Sequence, residues 1–174
     1  MIDLPLVTPR LVIDRLVEAD APVVAAYRSD PGVALYQGWS VPYPVEQAAA
    51  LAGSGQLALR FGAALVGDAM VAPVEGAAHA AELGMTLAPG WQGQGLATEA
   101  ATALVDALFA TGRVRVIAYV DTRNEASLRL FDRVGFRREG LLHLSFMSAD
   151  GLNDEVLFGL TADVWRQPTA ADDP

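Results

Sequence analysis

Three strand-like segments follow one another in the first half of this chain without an intervening helix. Gly62 and the pair Glu75-Gly76 divide them, and their ranges are Gln56–Phe61, Ala64–Pro73 and His79–Leu87. A doubly wound parallel sheet needs a helix between successive strands. The order therefore excludes that architecture and predicts a mixed sheet.

The remaining segments place helices around this sheet. Residues Arg10–Val17 form a β-rich run, and Asp20 is a candidate N-cap for a helix that reaches about Arg28. Residues Leu96–Thr111 carry apolar side chains at every fourth position, which indicates a long amphipathic helix that Gly112 ends. The other predicted elements are a turn at Ser29-Asp30-Pro31-Gly32, helices at Pro44–Leu51 and Asn124–Val134, strands at Val114–Val120, Phe136–Met147 and Glu155–Leu160, and a hairpin turn at Asp150-Gly151. The prediction is an α/β (α+β) fold of about seven strands with helices on both faces.

The length of 174 residues corresponds to one domain. We expect that domain to span residues 1–166. The polar segment 167–174 contains two prolines and ends in Asp172-Asp173-Pro174, so we expect it to form a disordered tail. The start, MIDLP, lacks the positive charge and apolar run of a signal peptide, so we expect a cytoplasmic protein without a membrane anchor.

Composition excludes several kinds of chemistry. The chain has no cysteine, which excludes disulfides, thiolate zinc sites, iron–sulfur clusters and a thiol nucleophile, and it shows no His-based zinc motif either. All 12 basic residues are arginines, so no lysine can form a Schiff base or serve a P-loop. The net charge of −9, without a basic patch, argues against a nucleic-acid partner. The acidic field either attracts a cationic partner or serves solubility alone.

A glycine-containing loop between a strand and the long helix has the character of an anion site. It lies within LGMTLAPGWQGQGLATEA, residues Leu83–Ala100. Glycines allow consecutive main-chain N–H groups to converge, and the helix N-terminus adds partial positive charge. The loop itself contains no Arg, so we expect main-chain amides to bind a diphosphate without cationic side chains. Leu96 follows Gly95 where a P-loop has lysine, and Thr98 occupies the place of the third glycine of a dinucleotide fingerprint.

Two motifs together resemble a known family. Gln92, Gly95 and Ala97 fit the pattern Gln/Arg-x-x-Gly-x-Gly/Ala, and NEASLRLFDRVGF at Asn124–Phe136 is similar to an Asn-x-x-Ser helix that follows the fifth strand. This pairing resembles the GNAT (Gcn5-related) N-acetyltransferase superfamily. The start TPRLVIDRLVEADA at Thr8–Ala21 is similar to the RimJ/RimL-like subgroup. The resemblance implies the GNAT fold, with a mostly antiparallel, twisted sheet whose fourth and fifth strands splay apart.

The resemblance also implies acetyl-CoA as co-substrate, with no metal. The loop would hold its pyrophosphate, Leu87 would pair with the pantetheine through its main chain, and Asn124 and Ser127 would contact the pantetheine or the thioester. The loop residues concerned are Gln92, Gly93, Gln94, Gly95, Leu96, Ala97 and Thr98.

Acetyl transfer to an amine needs a base for the amine and stabilisation of the departing thiolate. Glu82, on the strand that leads into the loop, is the leading candidate base, and His79 and His143 are rivals. Many family members have tyrosine as thiolate acid on the last helix, where this chain has Phe131. Ser127 is the candidate that remains on that helix, and Tyr119, on the preceding strand, is a weaker alternative. The position of a glutamate that RimL-like proteins use corresponds roughly to Phe146.

The resemblance implies direct acetyl transfer to a primary amine, either of a small molecule or of a protein N-terminus. Tyr36, Trp39 and Phe146 are candidate acceptor-binding residues, although the same aromatic side chains would also suit local packing or a homodimer contact. Two alternatives stay open. One is a non-catalytic acyl-CoA-binding or regulatory module with the same fold, which Phe131 favours. The other is a protein-interaction domain that binds no CoA.

Overall fold

An open sheet of eight strands organises the computed structural model, which describes residues 2–166. The strands are β1 (Leu6–Val7), β2 (Leu11–Arg15), β3 (Leu57–Phe61), β4 (Ala64–Val74), β5 (Ala77–Leu87), β6 (Arg115–Asp121), β7 (Arg137–Ser148) and β8 (Gly151–Thr161). Their order across the sheet is β1-β2-β3-β4-β5-β6-β8-β7. Neighbouring strands run antiparallel except β5 and β6, which run parallel. The mixed, mostly antiparallel sheet predicted from the sequence is thereby confirmed.

Six α-helices accompany the sheet within the described residues. They are α1 (Ala21–Arg28), α2 (Pro31–Ala34), α3 (Val45–Leu51), α4 (Leu96–Ala110), α5 (Glu125–Val134) and α6 (Ala162–Trp165). Between residues 2 and 166, no helix combines the length and apolar character that crossing a bilayer requires.

One face of the sheet is covered by α4 and α5. The predicted four-residue spacing of α4 is confirmed, because Leu96, Ala100, Leu104 and Leu108 are all buried. They pack in one apolar cluster with side chains from the strands and from α5. Removing this apolar surface from water is the main force that fixes α4 against the sheet.

The opposite face carries a second, smaller core. Val24 of α1 and Ala48 of α3 pack there with Ala58 of β3. The neighbours of Ala58, Leu57 and Leu59, belong to the core beneath α4. This alternation is what a strand buried on both faces requires, and it confirms helices on both sides of the sheet.

The structure corrects three local predictions. Asp20 precedes α1 but does not cap it with its side chain. Its carboxylate accepts a hydrogen bond from the N–H of Val17 at 3.0 Å and pairs with Arg60 at 2.7 Å. Asp30 does act as a cap, and the predicted turn there continues into the single helical turn α2. The two-residue strand β1 was not predicted because so short a segment has no measurable periodicity. The tail predicted at 167–174 lies outside the described residues.

A fork in the sheet positions the site described next. The parallel pairing of β5 with β6 covers three residue pairs and ends at Glu82 opposite Ile117. Beyond that point β5 remains paired with β4 as far as Leu87, and β6 remains paired with β8. The two strands therefore diverge toward the start of α4, as the resemblance implied for the fourth and fifth predicted strands.

Candidate active site

Two cavities meet at the fork and form one continuous cleft. The larger, of about 710 Å³, lies against the sheet, and the smaller, of about 400 Å³, lies at the start of α4. The residues at their boundary line both cavities, among them Thr86 of β5, Ser127 of α5 and the N-cap residue of α5, Asn124. A long ligand could therefore enter through the smaller cavity and place one end in the larger.

The glycine loop lines the smaller cavity. Gly93 and Gly95 have φ angles of 73° and 78°, a left-handed conformation that strains any residue with a Cβ. Within the described part of the chain, no hydrogen bond is donated by the main-chain N–H groups of residues 93–98. Helix α4 begins at Leu96, so its dipole adds positive potential at these amides. The arrangement suits a phosphate or diphosphate, as the sequence predicts.

Side chains of the loop hold its own backbone in place. Gln92 donates from Nε2 to the carbonyl oxygen of Leu87 at 3.0 Å, and Gln94 donates from Nε2 to that of Gly90 at 2.9 Å. Leu87 and Gln92 line the smaller cavity, together with Gly93, Gly95, Leu96, Ala97 and Thr98. Gln94 lines neither cavity, so of the predicted loop residues it alone is left outside the cleft. The carbonyl of Leu87 already has a partner in Gln92.

The sequence predicts no cationic side chain at the loop, whereas the structure places two arginines beside it. Helix α5 brings Arg129 and Arg133 to the smaller cavity. Arg129 pairs with Glu125 at 2.8 Å, whereas Arg133 forms no ion pair with a described residue and lies 3.5 Å from the hydroxyl of Thr98. These arginines are more than thirty residues from the loop in sequence, so the sequence around the loop could not show that they lie beside it.

Asn124 and Ser127 lie at the junction of the two cavities. Asn124 is the N-cap of α5, and its side-chain oxygen accepts from the N–H of Ser127 at 3.1 Å. The hydroxyl of Ser127 makes no hydrogen bond to any residue that the structure describes and is available to a ligand. Phe131, one turn further along α5, lines the larger cavity with a ring that packs 5.0 Å from that of Phe136. It has no proton to donate.

Glu82 lies in the larger cavity, at the last position where β5 pairs with β6. Burial raises the pKa of Glu82, and the negative charge of Glu155 raises it further. Both rival bases lie elsewhere. His79 and His143 are exposed and line neither cavity, and His143 is 3.0 Å from Asp154.

Glu155 of β8 is a cavity residue that sequence reasoning missed. Burial raises the pKa of Glu155, the hydroxyl of Ser145 opposes this by donating a 2.9 Å hydrogen bond, and the charge of Asp121 adds to the rise. Asp121 itself is bound by Arg123, with the closest contact at 2.7 Å. No sequence signal identified Glu155, because the register that places β8 beside β6 brings it to this wall.

A buried ionic cluster forms the deep end of the larger cavity. Asp68 of β4 has no exposed surface and accepts hydrogen bonds from Tyr27, Arg28 and Gln56. Burial favours deprotonation of Arg28, but the adjacent Asp68 carboxylate outweighs this, so the pKa of Arg28 is raised. The Arg28 guanidinium lies 4.3 Å from the ring centre of Trp39.

The three predicted acceptor-binding residues, Tyr36, Trp39 and Phe146, all line the larger cavity. Trp39 donates from Nε1 to the carbonyl oxygen of Arg28 at 3.0 Å. Phe146 packs against Gly38, where an added Cβ would lie 3.1 Å from its ring. A fourth aromatic residue, Tyr119 of β6, lines the same cavity and is 41% exposed. Among residues 2–166, no three side chains of the metal-binding types lie close enough together to hold a metal ion.

Comparison with known proteins identifies relatives of this architecture. A sequence model of the acetyltransferase (GNAT) domain matches residues 10–137. The ribosomal protein uS5-alanine N-acetyltransferase of Escherichia coli (strain K12) is 36% identical over 94 residues, which are 53% of this chain and 48% of that protein. The chain thus spans about half the length of that relative.

One further relative and one solved structure match over most of their length. The "Uncharacterized N-acetyltransferase p20" of Bacillus licheniformis is 30% identical over 169 residues, 89% of this chain and 94% of that protein. Among solved structures, Mycobacterium smegmatis RimJ in complex with CoA-disulfide superposes with a TM-score of 0.83 at 22% identity. That match covers 94% of this chain and 88% of RimJ, and it shows that the two share a fold.

Proposed function

This chain belongs to the GNAT acetyltransferase family, and from that premise we propose that it transfers the acetyl group of acetyl-CoA to a primary amine. The observation that supports this most strongly is the continuity of the cleft. Unpaired main-chain N–H groups lie at one end, and Glu82, with its raised pKa, lies at the other. Such a cleft can hold a long anionic carrier and present its distal end to a base.

The residues of the smaller cavity fit the diphosphate of acetyl-CoA. The N–H groups of residues 93–98 donate to no described residue, and an added Cβ at Gly93 would meet no atom within 4 Å. Arg133 lies beside them without an ion-pair partner among the described residues and would neutralise part of the phosphate charge. Past Glu82, β5 has no strand on its β6 side. Apart from the Leu87 carbonyl, which accepts a hydrogen bond from Gln92, main-chain groups along this edge can pair with the pantetheine.

Acetyl-CoA supplies a thioester whose carbonyl carbon accepts the amine while the carbon–sulfur bond breaks. Glu82 takes the proton of the attacking amine, directly or through water. A raised pKa brings a carboxylate closer to the pKa that suits a base at neutral pH. The hydroxyl of Ser127 donates a hydrogen bond to the leaving sulfur, since Phe131 cannot. Outward N–H groups on the free edge of β5 polarise the thioester carbonyl.

Tyr36, Trp39 and Phe146 bind the acceptor in the larger cavity. The Escherichia coli relative is named for an alanine of ribosomal protein uS5, so a protein amine belongs among the acceptors to be tested, beside small-molecule amines. Transfer is direct within a ternary complex, because the cysteine-free chain offers no thiol nucleophile.

The test is release of free CoA thiol from acetyl-CoA in the presence of primary amines and of peptides with free N-termini. Glu82→Gln is expected to lower kcat by about 10²–10⁴-fold, the usual contribution of a positioned base. Its acetyl-CoA affinity, measured by calorimetry, should match the wild type. Glu75→Gln, an exposed glutamate on the β4–β5 turn, is the control and should retain kcat.

A second candidate function is a non-catalytic acyl-CoA-binding module, which the loss of a proton donor at Phe131 favours. Tight acetyl-CoA binding without turnover of any amine would establish that function and refute catalysis. Absence of acetyl-CoA binding would refute both.

A further inference from the structure

Two carboxylates in the larger cavity have no cationic partner. Of the acidic side chains that line it, Asp68 is paired with Arg28 and Asp121 with Arg123. Neither Glu82 nor Glu155 forms an ion pair with any residue in the range 2–166. The proposed reaction needs one carboxylate as base. The second therefore has no assigned function.

The sheet places these carboxylates on opposite sides of β6. Glu82 on β5 lies opposite Ile117, and Glu155 on β8 lies opposite Asp121. Tyr119 is two residues from each of these β6 positions, so its side chain is on the same face of the sheet. A ligand that reaches Glu82 can thus extend across Tyr119 toward Glu155.

A hydrogen bond from the chain itself holds Glu155 on one side. One carboxylate oxygen, Oε2, accepts a hydrogen bond from the hydroxyl of Ser145, which lies in the irregular stretch of β7 between Leu142 and Phe146. The other oxygen has no hydrogen-bond partner among the described residues. A carboxylate held in this way loses little side-chain freedom when it binds a cation, which favours affinity.

The aromatic lining also suits a cation. Phe146 and Tyr119 line the cavity with Glu155, and an aromatic ring attracts an ammonium or guanidinium group over its face. Apart from Arg28, which Asp68 already binds, the cavity lining includes no cationic side chain. An anionic acceptor group would meet two uncompensated carboxylates here, whereas a cationic one would be held by them.

We propose that Glu155 binds a second positive charge on the acceptor, so that the preferred acceptors are primary amines carrying another cationic group. This inference rests on the proposed acetyl transfer. The same chemistry is present in an α,ω-diamine and in a peptide whose free N-terminus is followed by Lys or Arg.

The test compares acceptors that differ only in the second charge. At saturating acetyl-CoA, kcat and KM are measured for 1,5-diaminopentane and for pentylamine, and for Ala-Lys-Ala and Ala-Ala-Ala peptides. The wild type should prefer the dicationic member of at least one pair by about tenfold in kcat/KM, mainly through KM. Tenfold is the factor expected from about 1.4 kcal/mol, near the lower end for a charged hydrogen bond. The preferred pair identifies the source as a diamine or a peptide.

Glu155→Gln should reduce that preference ratio about tenfold, and Glu75→Gln should leave it unchanged. Glu155→Lys should reverse it, so that 5-aminopentanoate becomes a better acceptor than 1,5-diaminopentane. A kcat/KM ratio near one between dicationic and monocationic acceptors in the wild type would overturn the inference, as would a ratio that Glu155→Gln does not alter. In either case, turnover of pentylamine would still support acetyl transfer. Failure to acetylate any amine overturns both.

Discussion

Replacement of Gly67 by alanine tests how closely the two strands beside the cleft must approach. Gly67 of β4 lies opposite Leu87 of β5, at the last pair before the glycine loop. An ideal Cβ at this position would lie 2.2 Å from the carbonyl oxygen of Thr86 and 2.8 Å from a side-chain carbon of Leu87. The obstacle is backbone, so no side-chain rotation can relieve it.

The size of the expected effect follows from these distances. To bring the Cβ to an ordinary contact of 3.4 Å, the strands must separate by about 1.2 Å. Overpacking of this kind costs about 1–3 kcal/mol, and the reduced entropy of the unfolded chain offsets part of it. We expect a net loss of about 1–2 kcal/mol in the free energy of unfolding, or about 2–8 °C in Tm. Thr86 lines both cavities, so a shift of about 1 Å should also lower kcat/KM by about 10²-fold.

Gly84→Ala is the matched control. Gly84 lies on β5 and lines the larger cavity, but its added Cβ would meet only a side-chain carbon of Met70, at 3.5 Å. We expect its free energy of unfolding, from urea denaturation, to stay within about 0.5 kcal/mol of the wild type. If Gly67→Ala were as stable as Gly84→Ala and bound acetyl-CoA equally well, a tight approach of β4 and β5 would not be needed to shape the cleft.

Three further predictions concern the loop, the buried cluster and the base. Gly93→Trp should lose acetyl-CoA binding in calorimetry, and Gly76→Trp should retain it. Gly76 is the matched control because it has a similar left-handed φ and equally open space but lies on the β4–β5 turn. Equal acetyl-CoA affinities of the two variants would contradict the loop assignment. Asp68→Asn should lower the free energy of unfolding by about 3–5 kcal/mol in urea denaturation, because it leaves a buried guanidinium without its counter-charge; a loss below about 1 kcal/mol would contradict this. Folding raises the pKa of Glu82, so the stability that this side chain contributes is present at low pH and is lost as the pH rises through its pKa in the folded state. The Tm of Glu82→Gln should therefore exceed that of the wild type by more at pH 8 than at pH 4. A difference in Tm that is the same at both pH values would contradict the raised pKa.

The parts of the fold that local sequence determines were predictable. The four-residue spacing in α4 depends on residues within one helix, and the structure buries Leu96, Ala100, Leu104 and Leu108 as that spacing predicts. The two glycines of the loop were recognisable for the same reason, since a left-handed backbone position favours glycine wherever the loop lies.

The parts of the site that depend on strand register were not predictable. Glu155 reaches the cavity wall because β8, rather than β7, pairs with β6, and nothing in the local sequence of a hairpin determines which of its strands joins the sheet first. Arg28 and Asp68 are 40 residues apart, and their pairing depends on how α1 packs on β4. The proximity of Arg133 to the loop could not be predicted for the same reason. Each of these is a single charged residue in an otherwise ordinary segment, so only its neighbours in space reveal its function.

A crystal structure of the complex with acetyl-CoA tests the central claim most directly. We expect the diphosphate within hydrogen-bond distance of main-chain nitrogens in residues 93–98, the pantetheine along the free edge of β5, and the thioester between Ser127 and Glu82. Density for acetyl-CoA outside the fork, or its absence from crystals grown at saturating ligand, would contradict the account.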